Sequence, residues 1–249
     1  MVEKMTDLPG ELNVDEETKS ILSTGNPEID KKLADGLPTS SLNLVEGAND
    51  TGKSVLTQQI MWGGLSQGFN IAIYTTENTT KSFLNQMESL SFDVTDHFAW
   101  GYLKIYPIHV EGVEWNAELT KNFLQRLVDH IKSVKEEVII IDSFTVFTIS
   151  SSQDDIFNFF AECKARCDSG KTILITLHQY AFDEDTLIRI RSIADGHIKL
   201  RLEQVGDRYV SMMEVAKIRG AKKITGNVVS FEVHPGYGLK IIPYSSAQV

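Results

Sequence analysis

From residue 41 onward the chain alternates between short apolar runs rich in β-branched residues and longer stretches with helical spacing. SLNLVE is followed by a helical pattern from Lys53 and Ser54 to about Trp62, and NIAIYTTE by one running through Phe83 to Leu90. The series continues with YLKIYPI, a helix from about Asn116 to Ser133, VIIIDSF, a helix from about Asp154 to Asp168, and TILITLHQ. Strands and helices in this order predict βαβ units on a parallel sheet. The runs VIII and ILIT show no polar alternation, as expected of central strands covered on both faces. After residue 195 the pattern changes: HIKLRLEQV, RYVSMMEVAKI, VVSFEVHP and GLKIIP alternate and are joined by Gly- or Asn-containing turns, which predicts antiparallel hairpins. The fold class expected is α/β, a mostly parallel sheet with helices on both faces and antiparallel strands at the C-terminal end.

No internal repeat, low-complexity tract or long linker divides residues 21–249, so they are expected to form a single domain. Residues 1–20 are polar and acidic and read as a flexible leader. Formal charge is −10, from 34 acidic against 24 basic residues, which repels nucleic acid at long range. AKIRGAKK is the one basic cluster, so no nucleic-acid partner is expected. Cys163 and Cys167 lie four apart on a predicted helix, with no further Cys or clustered His to complete a metal set. They read as reduced packing residues, which fits a reducing cytosol. Neither a signal-peptide core nor an uncharged apolar run of about 18 residues is present, so a soluble, cytoplasmic chain without a membrane span is expected.

The stretch EGANDTGKSVL, residues 46 to 56, carries the chemistry. Gly47, Gly52, Lys53 and Ser54 match G-x-x-x-x-G-K-[ST] between a predicted strand and a predicted helix, with Ala48, Asn49, Asp50 and Thr51 as the intervening loop. Such a loop turns backbone N–H groups toward phosphates, and the helix N-terminus adds partial positive charge. Lys53 would reach the β- and γ-phosphates of a nucleotide, and the Ser54 hydroxyl would reach Mg²⁺. Asp50 is expected to point outward, where water screens its carboxylate. Asp142 ends the apolar run VIIID, and a carboxylate there suits Mg²⁺, through water. Position 143 is Ser, so no catalytic carboxylate directly follows on that strand.

With these residues in place the chain resembles the RecA superfamily of P-loop NTPases and its KaiC-like branch over roughly residues 21 to 243. STGNPEIDKKLADGLPTSSLNLVEG, TTEN, SIADGHIKL and MEVAKIRGAK carry the likeness beyond the phosphate loop. TGNPEIDKKL, NDTGKSVLTQQIMWG and ITLHQYAF are similar, more narrowly, to the ATP-binding accessory family of the archaellum motor. The resemblance implies ATP and Mg²⁺ as ligands and Glu77 as the carboxylate that activates water. In clock-protein relatives a second carboxylate follows; here Asn78 replaces it. It further implies Gln179 as a γ-phosphate sensor, with His178 the weaker candidate, and Lys217 with Arg219 as cations inserted into a neighbouring subunit's ATP site. The implied function is an ATP-binding regulatory or assembly component of archaeal motility that hydrolyses little or nothing. The implied partners are the motor's secretion-type ATPase and a membrane-anchored ring protein, with a homo-oligomeric ring and a peripheral position at the membrane-embedded motor. An active KaiC- or RecA-like ATPase in signalling or recombination is the alternative; a small-molecule kinase lacks a visible acceptor site.

Overall fold

A computed structural model of the chain describes residues 20–109, 112–148, 150–205, 207–221 and 228–242. The leader expected over residues 1–20 thus lies outside the described residues apart from Ser20. Strands β1 (Ile21–Leu22) and β2 (Leu37–Pro38) form a small antiparallel pair around helix α1 (Pro27–Lys32). Then β3 (Leu42–Gly47), α2 (Lys53–Ser66), β4 (Ile71–Thr75), α3 (Thr80–Ser89), α4 (Thr95–Ala99) and β5 (Leu103–Pro107) follow. Next come α5 (Ala117–Ser133), β6 (Val138–Asp142), α6 (Gln153–Asp168), β7 (Thr172–Leu177) and α7 (Glu184–Ile193). Four strands close the series: β8 (Gly196–Val205), β9 (Arg208–Ile218), β10 (Val228–His234) and β11 (Gly238–Ile242).

Among the described residues nine strands form one sheet in the order β11-β10-β9-β8-β3-β7-β6-β4-β5. Pairing is parallel from β5 to β8 and antiparallel from β8 to β11, so the expected fold class holds. The reason for the unbroken apolar runs is visible in the packing. Val45, Ile73, Ile140 and Leu174 point to one face, against Leu56 and Ile60 of α2 and Phe83 of α3. Leu44, Tyr74, Ile141 and Ile175 point to the other, against Leu127 of α5, Phe160 of α6 and Ile190 of α7. Each such fully buried aliphatic side chain contributes about 1.5–3 kcal/mol.

Helix starts follow from capping side chains. Thr79, Asn116, Ser152 and Asp183 each accept a backbone N–H at the start of α3, α5, α6 and α7. Among the described helices of ten or more residues, α2 alone has no side-chain cap. It also runs past Trp62, where the sequence pattern placed its end, to Ser66. Gly63 and Gly64 lie inside the helix, where a Cβ on Gly63 would collide with the carbonyl of Ser23: the pair is a packing contact, not a terminator. Helix α7 arises from the charge-mixed stretch AFDEDTLIRIRS, with Leu187 and Ile190 buried while Ile188 stays 54% exposed.

A buried ionic cluster anchors β3 from below. Glu46 is 1% exposed and accepts from Arg191 Nε at 2.9 Å and Nη2 at 2.6 Å, with His197 Nε2 at 2.8 Å. Burial pushes this carboxyl up, but the bonds from His197 and Arg191 outweigh it and hold it down at about 2. A carboxylate depressed in the folded state stabilises above its unfolded pKa and loses that contribution as pH falls through its folded value. Glu46 therefore contributes about 3 kcal/mol above pH 4.5, lost progressively toward pH 2. Urea unfolding of Glu46→Gln should show a deficit of about that size at pH 7 that closes on acidification; a pH-independent deficit would refute this assignment.

Candidate functional site

Parallel pairing brings the C-terminal ends of β3, β7, β6 and β4 to one edge of the sheet, the usual ligand edge of such folds. There, residues 48–52 loop from β3 into α2, and Asn49, Asp50 and Gly52, with the strand ends, line an open cavity of about 640 Å³. Gly52 has φ 92°, and a Cβ on it would lie 3.1 Å from the Phe231 ring, so backbone and packing both require glycine. Asp50 also has a left-handed backbone, φ 59°, which Asp tolerates better than most residues. That is a conformational reason for its presence in an anion-binding loop. Its side chain is exposed and sits at the cavity rim, near enough to Lys53 to favour the lysine's charge.

Lys53 is 6% exposed and its Nζ donates to Ala48 O at 2.6 Å, folding back over the loop. Burial pulls its pKa down, opposed by the charges of Asp142, Glu77 and Asp50. Ser54 Oγ donates to Asp142 Oδ1 at 3.3 Å, and Thr176 Oγ1 donates to the same oxygen at 2.6 Å. Asp142 is 4% exposed, and its pKa is raised by burial against the pull of those bonds and of Lys53. Glu77, beyond the end of β4, faces the same cavity; burial and the Asp142 charge push its carboxyl up, while Lys53 pulls it down. Asn78 turns away, donating to Gln86 Oε1 at 3.3 Å and accepting from Ser82 Oγ at 3.1 Å.

These residues fit a magnesium nucleotide. The uncapped N–H groups of α2 suit an anion, and a hydroxyl beside a carboxylate is an oxygen set for a hard cation that takes its remaining ligands from phosphate and water. Bound magnesium would neutralise phosphate charge, with Ser54 and Asp142 the residues to hold it.

The loop residues, Glu77 and Asp142 are thus brought together. Gln179 is not: β7 ends at Leu177, a 3₁₀ turn spans Gln179–Ala181, and Gln179 is exposed outside the cavity lining. His178 and Tyr180, on either side of it, line the cavity instead. The His178 backbone N–H donates to Thr145 Oγ1, whose hydroxyl also meets His178 Nδ1 at 2.9 Å. Burial, then Lys53, lowers the His178 pKa to about 4, so the ring is neutral at neutral pH. Tyr180 Oη donates to Asn49 Oδ1 at 3.2 Å, strapping this turn to the phosphate loop. Lys217 and Arg219 lie away from this cavity, at the C-terminal end of α7. Lys217 Nζ donates to Ala194 O at 2.5 Å and Arg191 O at 3.2 Å, and Arg219 Nη1 to Asp195 Oδ1 at 3.0 Å. Sequence reasoning passed over Thr176, Thr145 and Tyr180; a hydroxyl on the otherwise apolar strand TILITL was the available signal for the first.

Comparison with known proteins bears on the family and the fold. The family described as the KaiC ATPase matches residues 22–246. The archaeal flagellar ATP-binding protein FlaH of Sulfolobus acidocaldarius is 34% identical over 226 residues, covering 90% of this chain and 98% of that protein. The crystal structure of the flagellar accessory protein FlaH from Methanocaldococcus jannaschii superposes with a TM-score of 0.78 at 26% identity, covering 90% of this chain and 99% of that one. A KaiC-like protein from Pyrococcus horikoshii, 20% identical with a TM-score of 0.72, shares the fold over 90% of this chain and 99% of its own. Loop, strand order and overall likeness converge: the chain belongs to the KaiC ATPase family and, within it, to the archaeal FlaH group.

Proposed function

We propose that this chain is an ATP-binding regulatory or assembly component of the archaeal motility motor, taking up MgATP and hydrolysing it slowly or not at all. The observation that carries the binding half is the uncapped start of α2, with Lys53, Ser54 and Asp142 gathered around it. Its N–H groups are left for a ligand where the other long helices supply their own acceptor. The regulatory half rests on Glu77 standing without a second carboxylate, Asn78 being engaged with Gln86 and Ser82. The relatives' names, archaeal flagellar ATP-binding protein, supply the motor context. By the same likeness the partners are the motor's secretion-type ATPase and a membrane-anchored ring protein, at the inner face of the membrane. Among the described residues no helix is long and apolar enough to cross a bilayer, which fits a peripheral place. ATP would act by binding one conformation or oligomer more tightly than another.

One observation favours the active-ATPase alternative: Glu77 does face the cavity with a raised pKa, as a general base would. Kinetics separate the two. Sub-stoichiometric phosphate release with ATP retained is the expected result, and turnover of roughly 1 per second or more, in the range of ordinary enzymes, would sink the regulator reading.

Lys53→Ala should weaken MgATP binding at least about 100-fold by isothermal titration, since among the described residues the buried ammonium is the one lysine in the cavity lining. Glu77→Ala should leave affinity within about threefold while removing any residual phosphate release, because a water-activating carboxylate contributes to the transition state and not to ground-state binding. Asp142→Asn should shrink the gain in ATP affinity that magnesium gives; an undiminished magnesium effect would exclude Asp142 from the cation site.

A further inference from the structure

At the end of the sheet opposite the nucleotide cavity, the chain carries aromatic surface that its core does not use. Tyr102 marks the place: its carbonyl accepts from the N–H of Ile71, the first residue of β4, whereas the cavity lies at the far ends of the parallel strands. Just before α4, Phe92 and Val94 are buried, with Phe92 stacked on Trp62 at 5.3 Å between centroids. Then the pattern inverts. No residue of α4 is buried, and Phe98, Trp100 and Tyr102 are 36%, 71% and 50% exposed. Among the described residues these three rings join neither apolar cluster of the core. The turn that carries them is fixed. Trp100 N–H donates to Asp96 O at 2.9 Å and Gly101 N–H to Phe98 O at 3.1 Å, with Gly101 at φ 82°. A Cβ on Gly101 would meet nothing within 4 Å, so the glycine answers to conformation and the backbone between Trp100 and Tyr102 is open to approach. Single exposed apolar residues are ordinary; a contiguous aromatic group marks an interaction surface, and Trp and Tyr are the side chains that carry binding energy there.

The sign of the surrounding charge selects the occupant. Glu88 in the last turn of α3, Asp93 and Asp96 are all exposed. Asp93 Oδ1 accepts from Thr95 N–H at 2.9 Å at the start of α4, and Asp96 precedes Trp100 by four residues, on the same helix face. Lys104 is the one lysine or arginine between Glu88 and Pro107, and it is paired with Glu136 at 2.7 Å. Two copies meeting patch to patch would set these carboxylates against each other, and an anionic lipid surface or nucleic acid would be repelled in the same way. We propose that this corner docks a basic segment of a partner protein, with arginine side chains lying on the Trp100 and Tyr102 rings and Asp93 and Asp96 facing their charge. Arginine suits the surface better than lysine because its planar guanidinium stacks on an aromatic face.

The test titrates the intact chain with hexa-arginine and hexalysine peptides, equal in charge, by isothermal titration. Wild type should prefer hexa-arginine. Trp100→Ala with Tyr102→Ala should weaken hexa-arginine about tenfold and remove the preference, with an unchanged thermal unfolding midpoint. Asp93→Asn with Asp96→Asn, which keeps both rings, should weaken both peptides about threefold at low salt, a deficit that closes at about 1 M salt. Equal affinities of wild type for the two peptides, no binding of either, or unchanged hexa-arginine affinity in the aromatic variant would overturn the proposal, since general acidity would then account for any attraction. A wild-type dimer in sedimentation equilibrium that Trp100→Ala dissolves would overturn it in favour of a second copy.

Discussion

The start of α2 is where this fold leaves work for a ligand. Its first N–H groups have no capping side chain, which leaves the positive end of the helix to an anion in the cavity. The ionisable groups beside it are strained in the same sense. Burial moves Lys53 down and Glu77 and Asp142 up, each toward its neutral form, while the attraction between the lysine and the two carboxylates opposes the shift. A magnesium triphosphate would bring both signs of charge into that volume, with Lys53 and the helix amides to receive phosphate and Asp142 to receive the cation. Ligand present at about 100 times its Kd would add about 2.7 kcal/mol to the folded state. On the proposed function, nucleotide occupancy would then be a structural variable.

The site inherits its precision from β3, which is tied down at both ends by the segment around α7. At its start Leu42 N donates to Asp195 Oδ2 at 3.0 Å; at its end Glu46 is clamped by Arg191 and His197 one residue before Gly47. Asp195 also binds Lys164 of α6 at 2.9 Å. Two polar clusters, one at each end of the strand, thus tie β3 to α6, α7 and β8, and the turn after β7 reaches the loop through Tyr180 and Asn49.

What the sequence disclosed was the part written in local patterns. Unalternating runs such as VIII announced strands packed on both faces, and Asn116 marked a helix start because a capping side chain acts within three residues of itself. The phosphate loop was legible for the same reason, since glycine, lysine and serine do their work within eight consecutive positions. Contacts made across the fold were not. Thr176 meets Asp142 from 34 residues away, and Thr145 meets His178 from 33, so nothing adjacent to either residue signals the pairing. Gln179 was favoured over His178 by likeness alone; the 3₁₀ turn that follows β7 decides which side chains enter the cavity, and short turns of that kind have no distinctive periodicity. Helix α7 was hidden because an exposed Ile188 and interspersed charges blur its apolar stripe.

Lys217 and Arg219, paired by family likeness as cations for a neighbour's nucleotide, are physically unequal. Lys217 places its ammonium on two carbonyls at the C-terminal end of α7, where the helix dipole is negative, and burial is the main cause lowering its pKa. Withdrawing it would strip two acceptors of their donor inside a packed corner. Arg219 is 56% exposed on its side chain, and an ion pair of that kind is worth about 0–1 kcal/mol. Asp195 would not be orphaned by its departure, since Lys164 and the Leu42 amide still hold the carboxylate. If one cation swings out to a triphosphate on an adjacent subunit, the energetics favour Arg219, with Lys217 remaining as the strut that fixes the end of β9 to α7.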